Sequence, residues 1–240
     1  MMKYRRLLLK ISGESLAGDS GNGIEPSMLT RYASIVKSLW QDGHEVGIVV
    51  GGGNFWRGRK SVEMDRMAAD KMGMLATVMN SIALADALQR QEVPTRVMSA
   101  IPLPTIGEPM NGEIARRHLA KGRVVVFAGG TGSPFFSTDS AAALRASEIK
   151  ADVIMKATLV DGVYDKDPLE HSDAMLLKEL TFSDILTRKL KVIDATAAAL
   201  CRDYGLKLIV FNGTDPATIL QVAGGAPIGT LVAEVAKHDN

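Results

Sequence analysis

The stretch Gly129–Ala146, GGTGSPFFSTDSAAALRA, follows the apolar run Arg123–Ala128 and leads into an alanine-rich segment. This order predicts a strand, a glycine-rich loop and a helix, because glycine permits backbone angles and close approaches that a Cβ would block. Ser137, Thr138 and Asp139 are residue types that cap helix N-termini. A helix N-terminus presents unpaired N–H donors and a partial positive charge, which suit a phosphate group. The glycines alone fit an ordinary strand-to-helix turn equally well.

The middle of this loop is not explained by a simple turn. Pro134, Phe135 and Phe136 place rigid apolar surface directly before the polar residues Ser137 and Thr138. Apolar surface beside a few hydrogen-bonding groups is typical of a pocket for a nucleobase or a sugar. We therefore interpret the stretch as the acceptor side of a phosphate-handling site.

Composition limits the classes of function. The chain has 240 residues, of which 46% are apolar and 23% charged, and this predicts one α/β domain over residues 1–240. A net charge of +1 points to neither a nucleic acid nor a membrane surface as the partner. The single cysteine, Cys201, excludes an internal disulfide framework and a cysteine-based zinc site. Its apolar surroundings predict a buried, inert thiol.

The apolar segments are too short for membrane targeting. No apolar run reaches the roughly 18 residues that a membrane span requires. Leu7–Leu9 follows basic residues but is too short for the apolar core of a signal peptide. We therefore expect a cytoplasmic protein.

Apolar runs alternate with amphipathic segments along the chain. Strands are predicted at Tyr4–Ile11, Glu45–Val50, Val93–Ala100, Arg123–Ala128, Ala151–Ala157, Lys207–Phe211 and Gly229–Val235. Helices between them include Met28–Trp40 and the Met- and Ala-rich segment Asp70–Arg90. The alternation predicts an α/β fold with a mostly parallel sheet and helices on both faces. Ligands of such sheets bind at the carboxyl ends of the strands, where the glycine loops lie.

Lys10 closes the first predicted strand and is followed by Ser12 and Gly13, which can offer backbone donors. A lysine at the carboxyl end of a strand can reach phosphate oxygens. A lone lysine there also fits an ordinary charge at a strand edge.

Three successive glycines, Gly51–Gly53, follow the second predicted strand. Each costs about 0.5–1 kcal/mol relative to alanine in a regular element, so the run predicts a place where bare backbone is needed. Arg57 follows and can form a bidentate contact with a phosphate. Gly53–Ser61 nearly matches the Walker A spacing, but Arg59 interrupts it and no apolar helix follows, which excludes a P-loop. No G-x-G-x-x-G motif follows a strand, so a Rossmann dinucleotide site is unsupported.

Four further positions each fit a structural and a functional interpretation. Asp139 can cap a helix, and it can also orient lysines or a metal around a transferred group. Lys156 ends a predicted strand, and a polar loop follows it. In that loop Tyr164 can pack against the protein or flank a base. Asp167 can form a turn or accept from a ribose hydroxyl or a base amine.

The four histidines, His44, His118, His171 and His238, lie in surface-like sequence contexts, without metal-ligand spacing and without a candidate nucleophile nearby. A phosphate acceptor is already ionised at pH 7 and needs no general base, so its phosphorylation would depend on positioning and charge stabilisation. The residues therefore indicate phosphoryl transfer without a catalytic histidine. They do not distinguish a nucleotide phosphate from an amino acid carboxylate or a carbamate as the acceptor.

Five segments, each weakly informative alone, occur in one order along almost the whole chain. They are Lys10–Gly13 (KISG), Gly51–Gly58 (GGGNFWRG), Asp70–Thr77 (DKMGMLAT), Thr131–Asp139 (TGSPFFSTD) and Lys156–Asp167 (KATLVDGVYDKD). Together they closely resemble the bacterial uridylate kinases of the amino acid kinase superfamily. The resemblance implies a three-layer αβα sandwich, a homohexamer and a role in pyrimidine nucleotide biosynthesis. It also implies transfer of a phosphoryl group from ATP to UMP, with Mg²⁺ carried by the nucleotide phosphates.

The resemblance also implies roles for individual residues. It implies catalytic roles for Lys10, Asp139, Lys156 and, more weakly, Asp194. The residues implied to bind ATP are Lys10, Ile11, Ser12, Gly13, Gly53, Arg57, Thr158, Tyr164 and Asp167. The residues implied to bind UMP are Gly52, Asp70, Thr131, Gly132, Ser133, Pro134, Phe135, Phe136, Ser137 and Thr138. Ser133 stands where many relatives have asparagine, which puts one acceptor contact in doubt.

Regulation carries over only weakly. The family is activated by GTP and inhibited by UTP, and the loop linked to the effector corresponds here to Gly18, Asp19, Ser20, Gly21, Asn22 and Gly23. UTP would compete through the UMP pocket, because the two ligands share uridine.

Two alternatives remain open from the residues. One is another kinase of the superfamily, with acetylglutamate or carbamate as the acceptor, although Pro134–Phe136 suits a planar base better than a small acid. The other is a non-catalytic nucleotide-binding regulator on the same fold. The presence of Lys10, Arg57 and Asp139 together disfavours it, since a lapsed enzyme would be free to lose them.

Overall fold

The computed structural model describes residues 2–56, 64–168, 170–190 and 192–234. Within these ranges, nine strands form one sheet in the order β4-β3-β5-β2-β1-β6-β10-β11-β9, and β7 and β8 form a separate two-stranded ribbon. The strands are β1 (Arg6–Ile11), β2 (Glu45–Val50), β3 (Thr95–Ser99), β4 (Glu108–Pro109), β5 (Val124–Ala128), β6 (Val153–Thr158), β7 (Val163–Tyr164), β8 (Leu176–Leu177), β9 (Glu179–Leu180), β10 (Leu208–Asn212) and β11 (Thr230–Val232).

Helices cover both faces of this sheet. They are α1 (Gly13–Ala17), α2 (Pro26–Gln41), α3 (Arg66–Arg90), α4 (Gly112–Ala120), α5 (Thr138–Ile149), α6 (Phe182–Arg188), α7 (Ala195–Asp203) and α8 (Thr218–Ala223). A core on one face packs α2, α3 and α8 against the sheet, and a second core packs α4 to α7 against the opposite face. The predicted α/β fold with three αβα layers and a mostly parallel sheet is therefore confirmed.

The central strands are apolar on both faces because helices cover both. In β1, Leu7, Leu9 and Ile11 enter the core beneath α2 and α3, whereas Leu8 enters the core beneath α5. Successive side chains of a strand point to opposite faces, so Lys10 shares the face of Leu8. In β6 the same alternation places Lys156 on the face of Ile154, again towards α5.

Strands β1, β2, β5, β6 and β10 run parallel, so their carboxyl ends meet at one edge of the sheet. Strand β11 departs from the predicted parallel pattern, since it pairs with β10 in antiparallel orientation. The intervening α8 has only six residues, about 9 Å, and is too short to carry the chain back along the sheet. Among the described helices, none is both long and apolar enough to cross a membrane.

Three sequence-based expectations need correction. Helix α3 begins at Arg66 rather than Asp70, because the Asp65 side chain caps it by accepting from Ala68 N. The short helix α1 and the β7–β8 ribbon were not predicted. His44 and His118 are buried rather than surface residues: His44 Nδ1 lies 2.8 Å from the Tyr4 carbonyl, and His118 Nε2 lies 2.8 Å from Glu108. His171 is exposed, and His238 lies outside the described residues.

Candidate functional site

Two lysines and one carboxylate converge at the carboxyl edge of the sheet. Lys10 of β1 and Lys156 of β6 are direct partners in the parallel register, so their side chains leave the sheet side by side. Helix α5 crosses that face and begins with Thr138 and Asp139. The crossover from β5 to β6 thus brings the start of α5 directly over the two lysines.

Asp139 lies between the two ammonium groups. Lys156 Nζ donates to Asp139 Oδ2 at 2.6 Å, and Lys10 Nζ contacts Oδ1 at 3.3 Å as an ion pair without hydrogen-bond geometry. Lys156 Nζ also donates to the carbonyl of Val192. All three side chains are less than one-fifth exposed. The cluster therefore carries a net charge of +1 at the N-terminus of a helix, which adds to the positive potential.

Burial and pairing change the protonation equilibria of this cluster. Burial alone would raise the pKa of Asp139, but the Lys10 and Lys156 ammonium groups outweigh it and hold the pKa below the usual value. Burial lowers the pKa of Lys156, and Lys10 adds to that effect, while Asp139 opposes it. Asp139 is therefore a carboxylate at neutral pH, and Lys156 loses its proton more readily than an exposed lysine.

Asp194 supports the start of α5 from the neighbouring helix. It caps α7 by accepting from Ala197 N, and it also accepts from the hydroxyls of Ser137 and Ser140. Ser137 in turn caps α5 by accepting from the backbone N–H of Asp139 at 3.0 Å. These bonds give Asp194 a positioning role in the protein itself, one step removed from the lysines.

The glycine run after β2 packs closely on its neighbours, most tightly at Gly52. A Cβ on Gly52 would lie 2.7 Å from the carbonyl oxygen of Gly73 and 2.9 Å from Ala76 Cβ, both in α3. A Cβ on Gly13 would overlap the backbone of Gly51 and Gly53. The predicted need for bare backbone is thus met by close packing between the loop after β1, the glycine run and α3.

The loop between β5 and α5 is pinned at three points. Gly129 N donates to Thr77 Oγ1 at 2.9 Å, and Phe135 N donates to Asp70 Oδ2 at 2.8 Å, both in α3. The buried Arg145 places its guanidinium 3.4 Å from the carbonyl oxygens of Gly130 and Thr131. Phe135 adopts φ 73°, a left-handed conformation that strains a bulky residue. The bond to Asp70 helps to hold that conformation.

A cavity of about 220 Å³, the glycine-loop cavity, opens between this loop and α3. Its lining residues are Gly52, Gly53, Trp56, Arg66, Ala69, Asp70, Gly73, Met74, Thr77, Gly130, Thr131, Ser133, Phe136, Ser137 and Thr138. Seven residues of the predicted UMP set are among them, whereas Gly132, Pro134 and Phe135 belong to the same loop without lining the cavity. Phe135 is 60% exposed.

A larger cavity of about 650 Å³, the ribbon cavity, lies beyond Lys156. Its lining residues are Lys156, Thr158, Val160, Gly162, Val163, Tyr164, Asp165, Lys166, Asp167, Pro168, Glu170, His171, Arg188, Lys189, Leu190, Val192 and Val210. The predicted adenosine residues Thr158, Tyr164 and Asp167 all lie here. Since Lys156 lines this cavity and Thr138 lines the other, the charge cluster stands between the two.

Some predicted site residues do not line either cavity, and one lies outside the described residues. Arg57 lies outside the described residues. Ile11 is fully buried in the core, so only its backbone can serve a ligand. Ser12 caps α1 by accepting from Ser15 N at 3.1 Å. The segment Gly18–Gly23 lies in neither cavity lining, but Gly23 N donates to the carbonyl of Asn54, next to the glycine run.

Sequence reasoning missed several residues of the two cavities. Trp56, Arg66 and Thr77 line the glycine-loop cavity, and Arg188 and Lys189 bring positive charge to the ribbon cavity. Trp56 and Thr77 lie inside the motifs Gly51–Gly58 and Asp70–Thr77, so their membership of those motifs could have pointed to the site. Arg188 and Lys189 carried no local signal, because they end a short helix that lies outside the glycine-rich and strand-end motifs of the site.

Two further observations concern the chemistry of the edge. Within the described ranges, no group of three or more His, Cys, Asp or Glu side chains could hold a metal ion. Mg²⁺ in phosphoryl-transfer sites is commonly held by one or two carboxylates and by the substrate phosphates. Asp139, whose buried Oδ1 accepts no hydrogen bond from the described residues, is the carboxylate of the cluster that could take part in such an arrangement. Burial raises the pKa of Cys201 to about 12, with Asp139 and Asp194 adding to the effect, so the thiol is inert as predicted.

Comparisons with known proteins match this architecture. The model of the amino acid kinase family matches residues 5–212. A UMP kinase from Bacillus anthracis has a similar structure, with a TM-score of 0.93, 37% identity and 97% of each chain covered. A UMP kinase from Ureaplasma parvum has a TM-score of 0.90 and 38% identity, covering 97% of this chain and all of its own. A uridylate kinase from Archaeoglobus fulgidus is more distant, with a TM-score of 0.72 and 29% identity over 97% of this chain. The sheet, the two cavities and these matches place the chain in the amino acid kinase family.

Proposed function

We propose that this chain is a uridylate kinase, which transfers the terminal phosphoryl group of ATP to UMP and gives ADP and UDP. The observation that carries the proposal is the Lys10–Asp139–Lys156 cluster standing between two cavities of unequal size. The similarity to proteins described as UMP kinases supports the choice of acceptor. The two cavities would hold the two nucleotides with their phosphates facing across the cluster.

The ribbon cavity suits the donor nucleotide. Its volume and its basic side chains Lys166, Arg188 and Lys189 fit a ligand with a base, a sugar and several phosphates. Thr158, Tyr164 and Asp167 provide polar and aromatic groups for the adenosine end. The phosphates would then extend towards Lys156 and Lys10, where backbone N–H groups of the glycine run are close.

The glycine-loop cavity suits the acceptor. Phe136 and Trp56 offer apolar surface for a planar base, and the N-terminus of α5 offers donors for a single phosphate. Asp70 and Arg66 stand at its side, and their own ion pair at 2.9 Å leaves the second Asp70 oxygen for a ribose hydroxyl. The bound UMP phosphate would face the lysine pair.

The cluster would act by charge stabilisation. Lys10 and Lys156 neutralise the charge that spreads over the oxygens of the transferred group, and Asp139 keeps both ammonium groups in place. The acceptor phosphate is already ionised, so no residue has to remove a proton from it. A bound Mg²⁺ would neutralise charge on the donor phosphates, with Asp139 as a carboxylate of the cluster that could contact the ion or its waters.

We also propose that the chain assembles with copies of itself, as a homohexamer. Met72, Leu75, Met79 and Ile82 form an exposed apolar stripe on α3 at spacings of three and four residues. An exposed stripe of this kind marks an interaction surface. We expect Leu75→Glu to lower the mass measured by light scattering, and Ile114→Glu, at an exposed apolar residue of α4, to leave it unchanged. A single species at the protomer mass in the wild-type protein would refute this assembly.

A cytoplasmic role in pyrimidine nucleotide biosynthesis, activation by GTP and inhibition by UTP stay predictions. UTP inhibition would follow from shared uridine contacts in the glycine-loop cavity. Activation by GTP would require a second site, for which Gly18–Gly23 is the sequence-based candidate.

The experiment that tests the proposed function measures ADP release with ATP and Mg²⁺. UMP, CMP, dTMP and acetylglutamate are compared as acceptors in parallel. We expect strong turnover with UMP alone. Turnover with acetylglutamate would keep the family but refute the acceptor, and ATP binding without turnover on any acceptor would favour the regulator.

A further inference from the structure

A buried pair of asparagines lies beneath the glycine run. Asn54 directly follows Gly51–Gly53 and is 2% exposed, and Asn80 lies in the middle of α3 and is 0% exposed. Their side-chain amides exchange two hydrogen bonds. Asn80 Nδ2 donates to Asn54 Oδ1 at 2.7 Å, and Asn54 Nδ2 donates to Asn80 Oδ1 at 3.0 Å. A polar pair in this position has no part in the charge cluster or in either cavity lining.

Each amide has a second hydrogen, and both are used on backbone carbonyls. Asn80 Nδ2 donates to the carbonyl of Gly51 at 2.7 Å, and Asn54 Nδ2 donates to the carbonyl of Gly23 at 2.6 Å. Gly23 N returns a bond to the carbonyl of Asn54 at 3.0 Å. All four side-chain amide hydrogens therefore have acceptors, and a fully satisfied buried network fixes the segments that it joins.

The pair stands where the two sides of the site meet. On the donor side, Gly13 packs so closely that a Cβ there would overlap Asn54 Oδ1. On the acceptor side, Gly52 packs against the Gly73 carbonyl in α3, two turns before Asn80. A displacement of Asn54 or Asn80 would therefore shift the backbone that faces each nucleotide.

We propose that Asn54 and Asn80 are positioning residues that hold the donor-side and acceptor-side glycine backbone in one fixed arrangement and tie the segment ending at Gly23 to it. The inference rests on the proposed phosphoryl transfer. The two amides touch neither nucleotide and act through Gly51–Gly53. A misplacement of about 1 Å in such a site can cost roughly 100-fold in rate, so the effect is measurable.

The first test replaces Asn80 by alanine, which removes the amide, and by aspartate, which keeps its size but removes the NH₂ group that donates to Gly51. Ser81→Ala is the matched control, since Ser81 is equally buried in α3 but donates to Thr77 O of its own helix at 2.7 Å, with a longer contact of 3.5 Å to Phe127 O. We expect both Asn80 variants to lose about 10- to 100-fold in kcat/KM, with KM raised for ATP and for UMP. The control should stay within about twofold of wild type.

The KM values separate positioning from simple loss of folded protein. Partial unfolding lowers kcat per mole of chain and leaves KM unchanged, whereas displaced backbone raises KM for both substrates. Thermal melting of each variant establishes which is folded. Folded Asn80 variants with wild-type kcat and wild-type KM for both nucleotides would overturn the inference.

A second measurement needs no variant and decides the matter if the Asn80 variants do not fold. Hydrogen exchange of the wild-type segment 18–25 is followed with and without saturating ATP and Mg²⁺. We expect slower exchange in this segment when the nucleotide is bound, because Asn54 links Gly23 to the glycine run. Unchanged exchange at saturation would overturn the inference. If the wild-type protein bound ATP but phosphorylated no UMP, the proposed function would fail, and ATP affinity in the Asn80 variants would still test the asparagine pair.

Discussion

The glycine-loop cavity and the ribbon cavity share one charge cluster but are built differently. The first has about 220 Å³ and walls pinned to α3, and the second has about 650 Å³ and is lined by the long side chains of Lys166, Arg188 and Lys189. The ribbon strands β7 and β8 have two residues each; Val163 is buried in the core and the other three residues are half-buried. We therefore expect the small cavity to select a ligand by shape. We expect the large one to hold a ligand through flexible charged side chains, which include the acidic Asp165, Asp167 and Glu170 as well as the basic residues.

One carboxylate in each cavity makes this comparison testable. Asp70 accepts from Phe135 N and Asp165 accepts from Met175 N, both at 2.8 Å. Asp70 thereby holds a loop with a left-handed Phe135, whereas Asp165 and Met175 are also joined by a backbone hydrogen bond from Asp165 N to Met175 O at 3.1 Å. Although the two hydrogen bonds have the same length, we expect the loss of the Asp70 bond to change substrate binding more than the loss of the Asp165 bond.

The largest effect is expected at the cluster that both cavities share. Asp139→Asn removes the carboxylate that lies between Lys10 and Lys156, and we expect kcat to fall by about 10²–10³-fold with either nucleotide varied. Breaking a buried ion pair costs about 3–5 kcal/mol, so the free energy of unfolding should also fall. Steady-state kinetics and chemical denaturation check both. Unchanged turnover would remove Asp139 from the transfer site.

The pH dependence of the cluster is the next effect. The pKa of Lys156 is lowered, so activity should begin to fall with rising pH below the usual lysine value of 10.5. Asp139 opposes that lowering, and its replacement by asparagine should therefore move the alkaline limb to still lower pH. The Asp139 carboxylate has a lowered pKa, so its contribution to stability is present above 3.8 and is lost only as the pH falls through the folded-state value. An alkaline limb that did not move in the variant would contradict the pairing with Lys156.

The glycine-loop cavity should respond strongly to the loss of its anchor. Asp70→Ala frees Phe135 N and Arg66, so the loop can leave its strained conformation. We expect KM for UMP to rise at least tenfold, with KM for ATP within about twofold, as measured by initial rates with each substrate varied. A comparable rise in both KM values would show that the two cavities are not independent.

The matched change in the ribbon cavity should be milder. Asp165→Ala removes the side-chain acceptor for Met175 N, but the backbone bond from Asp165 N to the Met175 carbonyl at 3.1 Å stays in place. We expect KM for ATP to rise by no more than about threefold, with KM for UMP unchanged. If Asp165→Ala raised KM more than Asp70→Ala does, the glycine-loop cavity would not be the more rigidly held of the two.

The smallest effect is expected from Trp40→Phe. Trp40 Nε1 donates to the carbonyl of Gly122 at 2.7 Å, away from both cavities, so its loss should cost about 1 kcal/mol of stability and no activity. Trp56 then remains as the single indole, at the wall of the glycine-loop cavity. Its emission should change on addition of UMP and much less on addition of ATP. An equal change in emission with the two nucleotides would contradict the assignment of UMP to the glycine-loop cavity.

Much of the site at the carboxyl edge of the sheet could be predicted from the sequence, because parallel strands bring their carboxyl ends together. Lys10 and Lys156 lie near the carboxyl ends of β1 and β6, and the glycine run follows β2, so one topological rule predicted their convergence with the loop before α5. The Asn54–Asn80 pair could not be predicted, since an asparagine within an apolar helix has no local signature and its partner is 26 residues away. The antiparallel orientation of β11 was missed because the prediction relied on the presence of a helix before it. The length of that helix decides whether the chain can return to the opposite edge of the sheet and form a parallel strand. Arg188 and Lys189 were missed because their proximity to the site depends on tertiary packing.

The most direct test of the shared cluster follows the label from γ-³²P ATP in the presence of Mg²⁺ and UMP, with the wild-type protein and Asp139→Asn in parallel. If the cluster passes a phosphoryl group from one cavity to the other, the label should appear in UDP with the wild type and hardly at all with the variant. Label that stayed in ATP, or that was released as inorganic phosphate without labelled UDP, would contradict transfer between the two cavities.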